Sequence, residues 1–200
     1  MEYSAGFTKE KWSENDIAVV IDLILQGKNK KEILEEVTEN NLFQLRSPLS
    51  IKNRFNMVYN RAVSLDDEMK QHFLRANDYD RKALTLYTFL QVYRIPLEFY
   101  IEVIVYKYEQ QESLYRNDFH YFFEGKASVS ERVNGWRPET IKRLISTLML
   151  FFKEAKMIEQ IDQTKYTINP IHISRDLKTY AEKNMPLLYS FSVLEKVNES

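Results

Sequence analysis

Apolar residues recur at helical spacing along most of the chain. Ile17, Val20, Ile21 and Ile24 share one face of a helix that follows Ser13, a candidate N-cap, with Asp16 in its first turn. Gly27 stops this helix, and a second one opening near Asn29 turns Ile33, Leu34 and Val37 inward before fraying at Asn40-Asn41. Leu42 and Phe43 anchor the connection. A third helix is expected from Ser47 as cap and Pro48 as first residue to about Leu65, with Ile51, Phe55, Val58, Ala62 and Leu65 as its core stripe. Three short helices with a glycine-bearing turn between the first two predict a helix-turn-helix-like unit over residues 1–65.

The same reading makes residues 66–125 a helical middle. Asp66-Asp67-Glu68 is an acidic helix start, Asp78 or Asp80 opens a helix bearing Leu84, Tyr87, Leu90 and Val92, and Pro96 interrupts and restarts the pattern through Leu97, Tyr100, Ile101, Ile104, Val105 and Tyr108. Lys126 to Trp136 has little periodicity and predicts a loop or short helix. A further helix runs from about Arg137 to Lys156 on the stripe Ile141, Ile145, Leu148, Phe152 and Ala155. Two β-prone pieces follow, Met157 to Ile161 and Tyr166 to Ile168, separated by Asp162-Gln163-Thr164-Lys165 and ended by Asn169-Pro170. A helix followed by a hairpin is the layout of a winged helix-turn-helix. Ser174 to Asn184 and Pro186 to Val197 read as closing helices. The expected fold is therefore mainly α, a helical bundle with two helix-turn-helix-like units, of which the C-terminal one, residues 126–200, is winged by a short β-hairpin.

Two of these helices open alike, on Pro48-Leu49-Ser50-Ile51-Lys52 and on Pro138-Glu139-Thr140-Ile141-Lys142. Each pairs an apolar stripe with an outward polar face. Projected at 100° per residue, Asn53, Asn56 and Asn60 fall opposite the core stripe of the first, with Lys52 and Arg54 on its flanks. Asparagine forms helices poorly, so three on one face call for an explanation. One is that the amide donates and accepts together against adenine while lysine and arginine hold phosphates; the other is an ordinary solvated face. From Asn41 to Leu65 the chain carries Arg46, Lys52, Arg54 and Arg61 and no acid. The later helix offers Lys142, Arg143, Ser146 and Thr147, with Leu150 as an apolar exception on the same face. Arg132, Arg137, Lys153, Lys156 and Lys165 lie nearby, countered by Glu131, Glu139, Glu154 and Asp162. Lys165, near the hairpin tip, is placed where a wing meets backbone or minor groove. The candidate contacts are Lys52, Asn53, Arg54, Asn56, Asn60, Arg61, Lys142, Arg143, Ser146, Thr147 and Lys165.

Charge changes this picture only locally. The 200 residues are 44 % hydrophobic and carry a formal net charge of -1, so no global field draws the molecule to a polyanion. Cysteine is absent, which removes thiolate metal sites, disulfides and a cysteine nucleophile. His72, His120 and His172 are far apart and have no partner at ligand spacing, and the four glycines never cluster into a phosphate-cradling loop. No serine sits in a nucleophile elbow. The expectation is a non-enzymatic protein with no metal, cofactor or small-molecule substrate. The amino terminus lacks a signal-peptide run, and the most apolar stretch, Leu144 to Phe152, falls well short of the roughly 20 residues a bilayer requires, so a cytoplasmic protein without membrane contact is expected.

Tyr3-Ser4-Ala5-Gly6-Phe7-Thr8-Lys9, Asn41-Leu42-Phe43-Gln44 ahead of Ser47, Trp136 through Thr140, and Phe152-Lys153-Glu154-Ala155-Lys156-Met157-Ile158 together resemble the BrxA family, small accessory proteins of bacterial BREX phage-exclusion systems. The chain departs from the family at Lys156, where a glycine is expected after the Glu-Ala pair. The resemblance implies a cytoplasmic, mostly helical protein with winged-helix-like units that binds double-stranded DNA and serves phage defence without catalysis. It also leaves open RNA binding in the manner of the antitermination protein NusB, while the aromatic middle and Leu150 offer a further alternative, an adaptor that docks onto other BREX proteins and whose cations are incidental.

Overall fold

In the computed structural model, which describes residues 2–195, the chain forms two compact units: residues 13–92, and a second unit built from the residues up to Trp12 together with those from Tyr93 onward. The boundaries expected at 65 and 125 are not those of the compact units. The helical middle is instead divided at 92, because its first two helices pack with the preceding three.

The unit of residues 13–92 contains α1 (Glu14–Leu25), α2 (Lys30–Glu39), α3 (Pro48–Ala62), α4 (Asp67–Arg75) and α5 (Asp78–Val92). Their starts follow from side-chain capping. Asn29 and Glu32 form a reciprocal capping box on α2, Ser47 accepts from the Ser50 amide of α3, and Asp66 accepts from the Met69 amide of α4. Gly27 takes the left-handed φ of 83° that releases the chain from α1. Ser13 differs from expectation: its backbone is itself left-handed, its side chain caps nothing, and its hydroxyl instead accepts from the Arg54 guanidinium. The stripe Ile51, Phe55, Val58, Ala62 and Leu65 is buried throughout, against α1, α2 and α5.

In the second unit α6 (Arg94–Phe99) runs into a π-helical segment, Tyr100–Val105, and then α7 (Tyr106–Glu109). Pro96 lies in the first turn of α6, where its missing N–H costs little. Next come β1 (Leu114–Tyr115), α8 (Arg116–Val129), α9 (Glu131–Asn134), α10 (Pro138–Glu154), β2 (Ile158–Gln160), β3 (Lys165–Ile168), α11 (Arg175–Asn184) and α12 (Pro186–Ser190). The closing helix expected to reach Val197 ends at Ser190, and positions 196 and 197 lie outside the described residues. The three strands form an antiparallel sheet in the order β1-β3-β2, with Leu114 opposite Tyr166 and Ile158 opposite Ile168. Phe99 centres the core, its ring 4.5 Å from Phe119, 5.2 Å from Phe122 and 5.7 Å from Phe152.

The amino-terminal segment belongs to this core. Phe7, in a 3₁₀ turn over Gly6–Lys9, is fully buried with its ring 5.5 Å from Tyr93, and Trp12 meets Phe151 edge-on at 5.4 Å. The Tyr93 hydroxyl donates to Glu10 at 2.7 Å and that of Tyr3 to Glu98 at 3.1 Å. Glu98 also receives Arg94 and Lys126, each at 2.6 Å. Burial opposes ionisation of its carboxyl, yet these hydrogen bonds hold it below the ordinary glutamate range.

Lys156 adopts φ 63° at the end of α10 and closes a Schellman turn, with the Met157 amide donating to the Phe152 carbonyl at 3.0 Å. A side chain at a left-handed position costs about 1 kcal/mol. Lys156→Gly is therefore expected to raise the melting temperature by roughly 2–4 °C in a thermal scan, whereas Lys156→Ala leaves it unchanged.

Candidate nucleic-acid interface

Helix α10 holds the more open of the two expected faces. Glu139, Lys142, Arg143, Ser146, Thr147 and Leu150 line, with Thr8 of the amino-terminal turn, an open groove of about 490 Å³. Lys142 and Arg143 are exposed, and neither makes a salt bridge among the described residues. Ser146 is exposed and donates back to the Lys142 carbonyl at 2.9 Å. Leu150, the apolar exception, is also exposed in this groove.

Thr147 is a correction: it is 7 % exposed and its hydroxyl donates to the Arg143 carbonyl at 3.1 Å, so it forms the groove's floor at most. The cause is a wider buried arc than periodicity predicts. The turn Gly6–Lys9 and Trp12 pack on the side of α10 bearing Leu144, Thr147 and Phe151. Arg137, at the N-cap position, is exposed and adds a third cation to this end of the helix. Arg132 is tied to Glu2 at 2.7 Å.

Lys165 opens β3 and is half-buried, so the hairpin tip is Ile161 to Thr164. There the Asp162 carboxylate accepts from the amides of Thr164 and Lys165, at 2.8 and 2.9 Å, and these bonds keep its pKa below the usual aspartate value. An ionised Asp162 beside Lys165 leaves the hairpin tip with little net positive charge.

On α3 the expected set separates. Lys52, Asn53, Asn56 and Asn60 are exposed. Arg61 is not available: it is fully buried, its guanidinium donating to the Thr85 carbonyl at 2.9 Å and to the Thr88 hydroxyl at 3.2 Å, both on α5. Arg54 is held by Ser13 and, at 3.3 Å, by Asp16 of α1, with 12 % of its side chain exposed. The two arginines lie seven residues apart, two turns along one flank, and α1 and α5 cover that flank. The opposite flank gains a cation that sequence reading missed, Lys30 of α2, 4.8 Å from the centre of the Tyr59 ring.

Among the described residues no group of three or more His, Cys, Asp or Glu side chains is placed to hold a metal ion. His72 is instead hydrogen-bonded to the buried Asp80 at 2.9 Å. No helix of the described residues is long and apolar enough to cross a membrane.

A solved structure, that of an uncharacterized protein from Magnetospirillum magneticum, shares this fold with a TM-score of 0.80 over 96 % of this chain and 98 % of its own, at 14 % sequence identity. A curated relative named "BREX protein BrxA", from Bacillus cereus (strain H3081.97), is 28 % identical over 134 residues, 66 % of this chain and 67 % of that protein. The family model BrxA matches residues 1–185. The chain belongs to the BrxA family.

Proposed function

We propose that this protein is a non-enzymatic, double-stranded DNA-binding component of a bacterial BREX anti-phage system, acting in the cytoplasm and engaging DNA chiefly through α10. The observation that carries the reading is the groove on α10, where Lys142 and Arg143 are exposed beside Ser146 and unpaired among the described residues. The order of elements supports it. Setting aside the one-turn helices α7 and α9, the order α6 with its π continuation, β1, α8, α10, β2 and β3, with the sheet ordered β1-β3-β2, matches that expected of a winged helix, whose helix before the hairpin enters the major groove. Lys52, Asn53, Asn56 and Asn60 on α3 form a second, weaker face, reinforced by Lys30.

Phosphate contacts dominate such an interface, so affinity falls steeply with salt. A gel shift titrated in salt, with duplex DNA, single-stranded DNA and folded RNA side by side, is expected to retain the duplex most strongly. Its log–log slope is expected near -3 to -4 for about four phosphate contacts. Equal retention of RNA would favour the NusB-like alternative, and no retention of any nucleic acid would overturn the reading.

Docking onto other BREX proteins is supported by a different observation. Tyr121 and Val129, large apolar side chains on α8, are 62 % and 76 % exposed. Both roles fit one chain, because α8 and the α10 groove present different residues.

A further inference from the structure

Glu139 sits in the α10 groove one turn before Arg143, in the order that favours an i,i+4 ion pair, yet the two make no salt bridge among the described residues. A carboxylate in a groove that receives phosphates weakens every contact it faces. Glu139 also serves as a first-turn acid on α10, a role that does not require it to face the groove. The one group a duplex offers to an outward carboxylate in the major groove is the exocyclic amino group of a base, above all N4 of cytosine, while an unpaired arginine fits O6 and N7 of guanine. Four residues advance a helix by about 6 Å, less than two base-pair steps of roughly 3.4 Å.

We propose that Glu139 and Arg143 form a base-reading pair that selects duplexes carrying a cytosine one or two base-pair steps from a guanine. This rests on α10 being the helix that enters the groove. Arg143 supplies attraction for any duplex and preference for guanine. Glu139 lowers affinity for every sequence except those that place an amino group against it, so it raises discrimination while reducing non-specific binding. Ser146, exposed one turn beyond Lys142, accepts either partner and adds no preference of its own.

The test is selection of bound duplexes from a randomised library by the full chain, followed by gel shifts of the selected duplex and single-base variants at fixed salt. The wild-type chain is expected to enrich a C and a G one or two base pairs apart and to prefer the cytosine roughly tenfold over other bases at that position. Glu139→Gln is expected to lose the cytosine preference, keep that for guanine, and bind unselected DNA several-fold more tightly. Should Glu139→Gln tighten binding equally to all duplexes, or the wild-type chain bind duplexes without base preference, the base-reading pair is wrong although α10 still binds DNA. If no duplex is retained at all, both this inference and the reading beneath it fall. Glu139→Ala, measured alongside and checked by circular dichroism, guards against a folding defect in the first variant.

Discussion

Reversing the charge of Lys142 and Arg143 together is expected to abolish retention of a DNA duplex at low salt while leaving the circular dichroism spectrum unchanged. Both side chains are exposed and make no salt bridge among the described residues, so their replacement by glutamate breaks no ion pair there. Loss of the Lys142 phosphate contact lowers the salt slope by about one, loss of Arg143 removes a base contact, and the two substitutions together cost on the order of 100-fold in affinity. Lys52→Glu on α3 is expected to cost less, since the face it occupies has lost two of its expected cations to the interior. Unchanged retention by the Lys142→Glu, Arg143→Glu chain would remove α10 from the interface.

Arg61→Ala is expected to act on stability rather than on binding. Its guanidinium is buried and hydrogen-bonded to α5, so truncation leaves the Thr85 carbonyl without that donor and opens a cavity between α3 and α5. Breaking a buried charged hydrogen-bond arrangement of this kind costs about 3 kcal/mol, a fall of roughly 10 °C in the melting temperature. Duplex affinity measured well below the transition is expected to stay within twofold. A melt within a degree of wild type would mean that Arg61 is not a structural element of this unit.

The sequence carried the helices more fully than the site. Ser47-Pro48 and Asp66 mark their helix starts because capping is a local event, decided within four residues. The α3 stripe is equally local, since each of its members repeats at the helical period. β1 was not readable: two residues, Leu114 and Tyr115, are a strand only because β3 pairs with them from fifty positions away. The site failed in the same way. Projection about a helix axis assumes one core direction, and α3 and α10 are each covered from two. On α3 the second cover, α5, removes Arg61; on α10 it is the amino-terminal turn, which removes Thr147. In the sequence Glu139 reads only as a charge offsetting the nearby cations, because its place in the groove depends on Thr8, more than a hundred residues upstream.

The interruption of the larger unit by residues 13–92 has a consequence for how the protein is made. A nascent chain emerging at roughly 5–20 residues per second presents Phe7 and Trp12 to solvent on the order of 10 s before Phe151 exists to receive the indole. The helices of residues 13–92 have all their partners by the time Val92 clears the ribosome and can fold in that interval. The amino-terminal turn is therefore among the last parts to lock, and the α10 groove it borders is completed only after synthesis has passed it by.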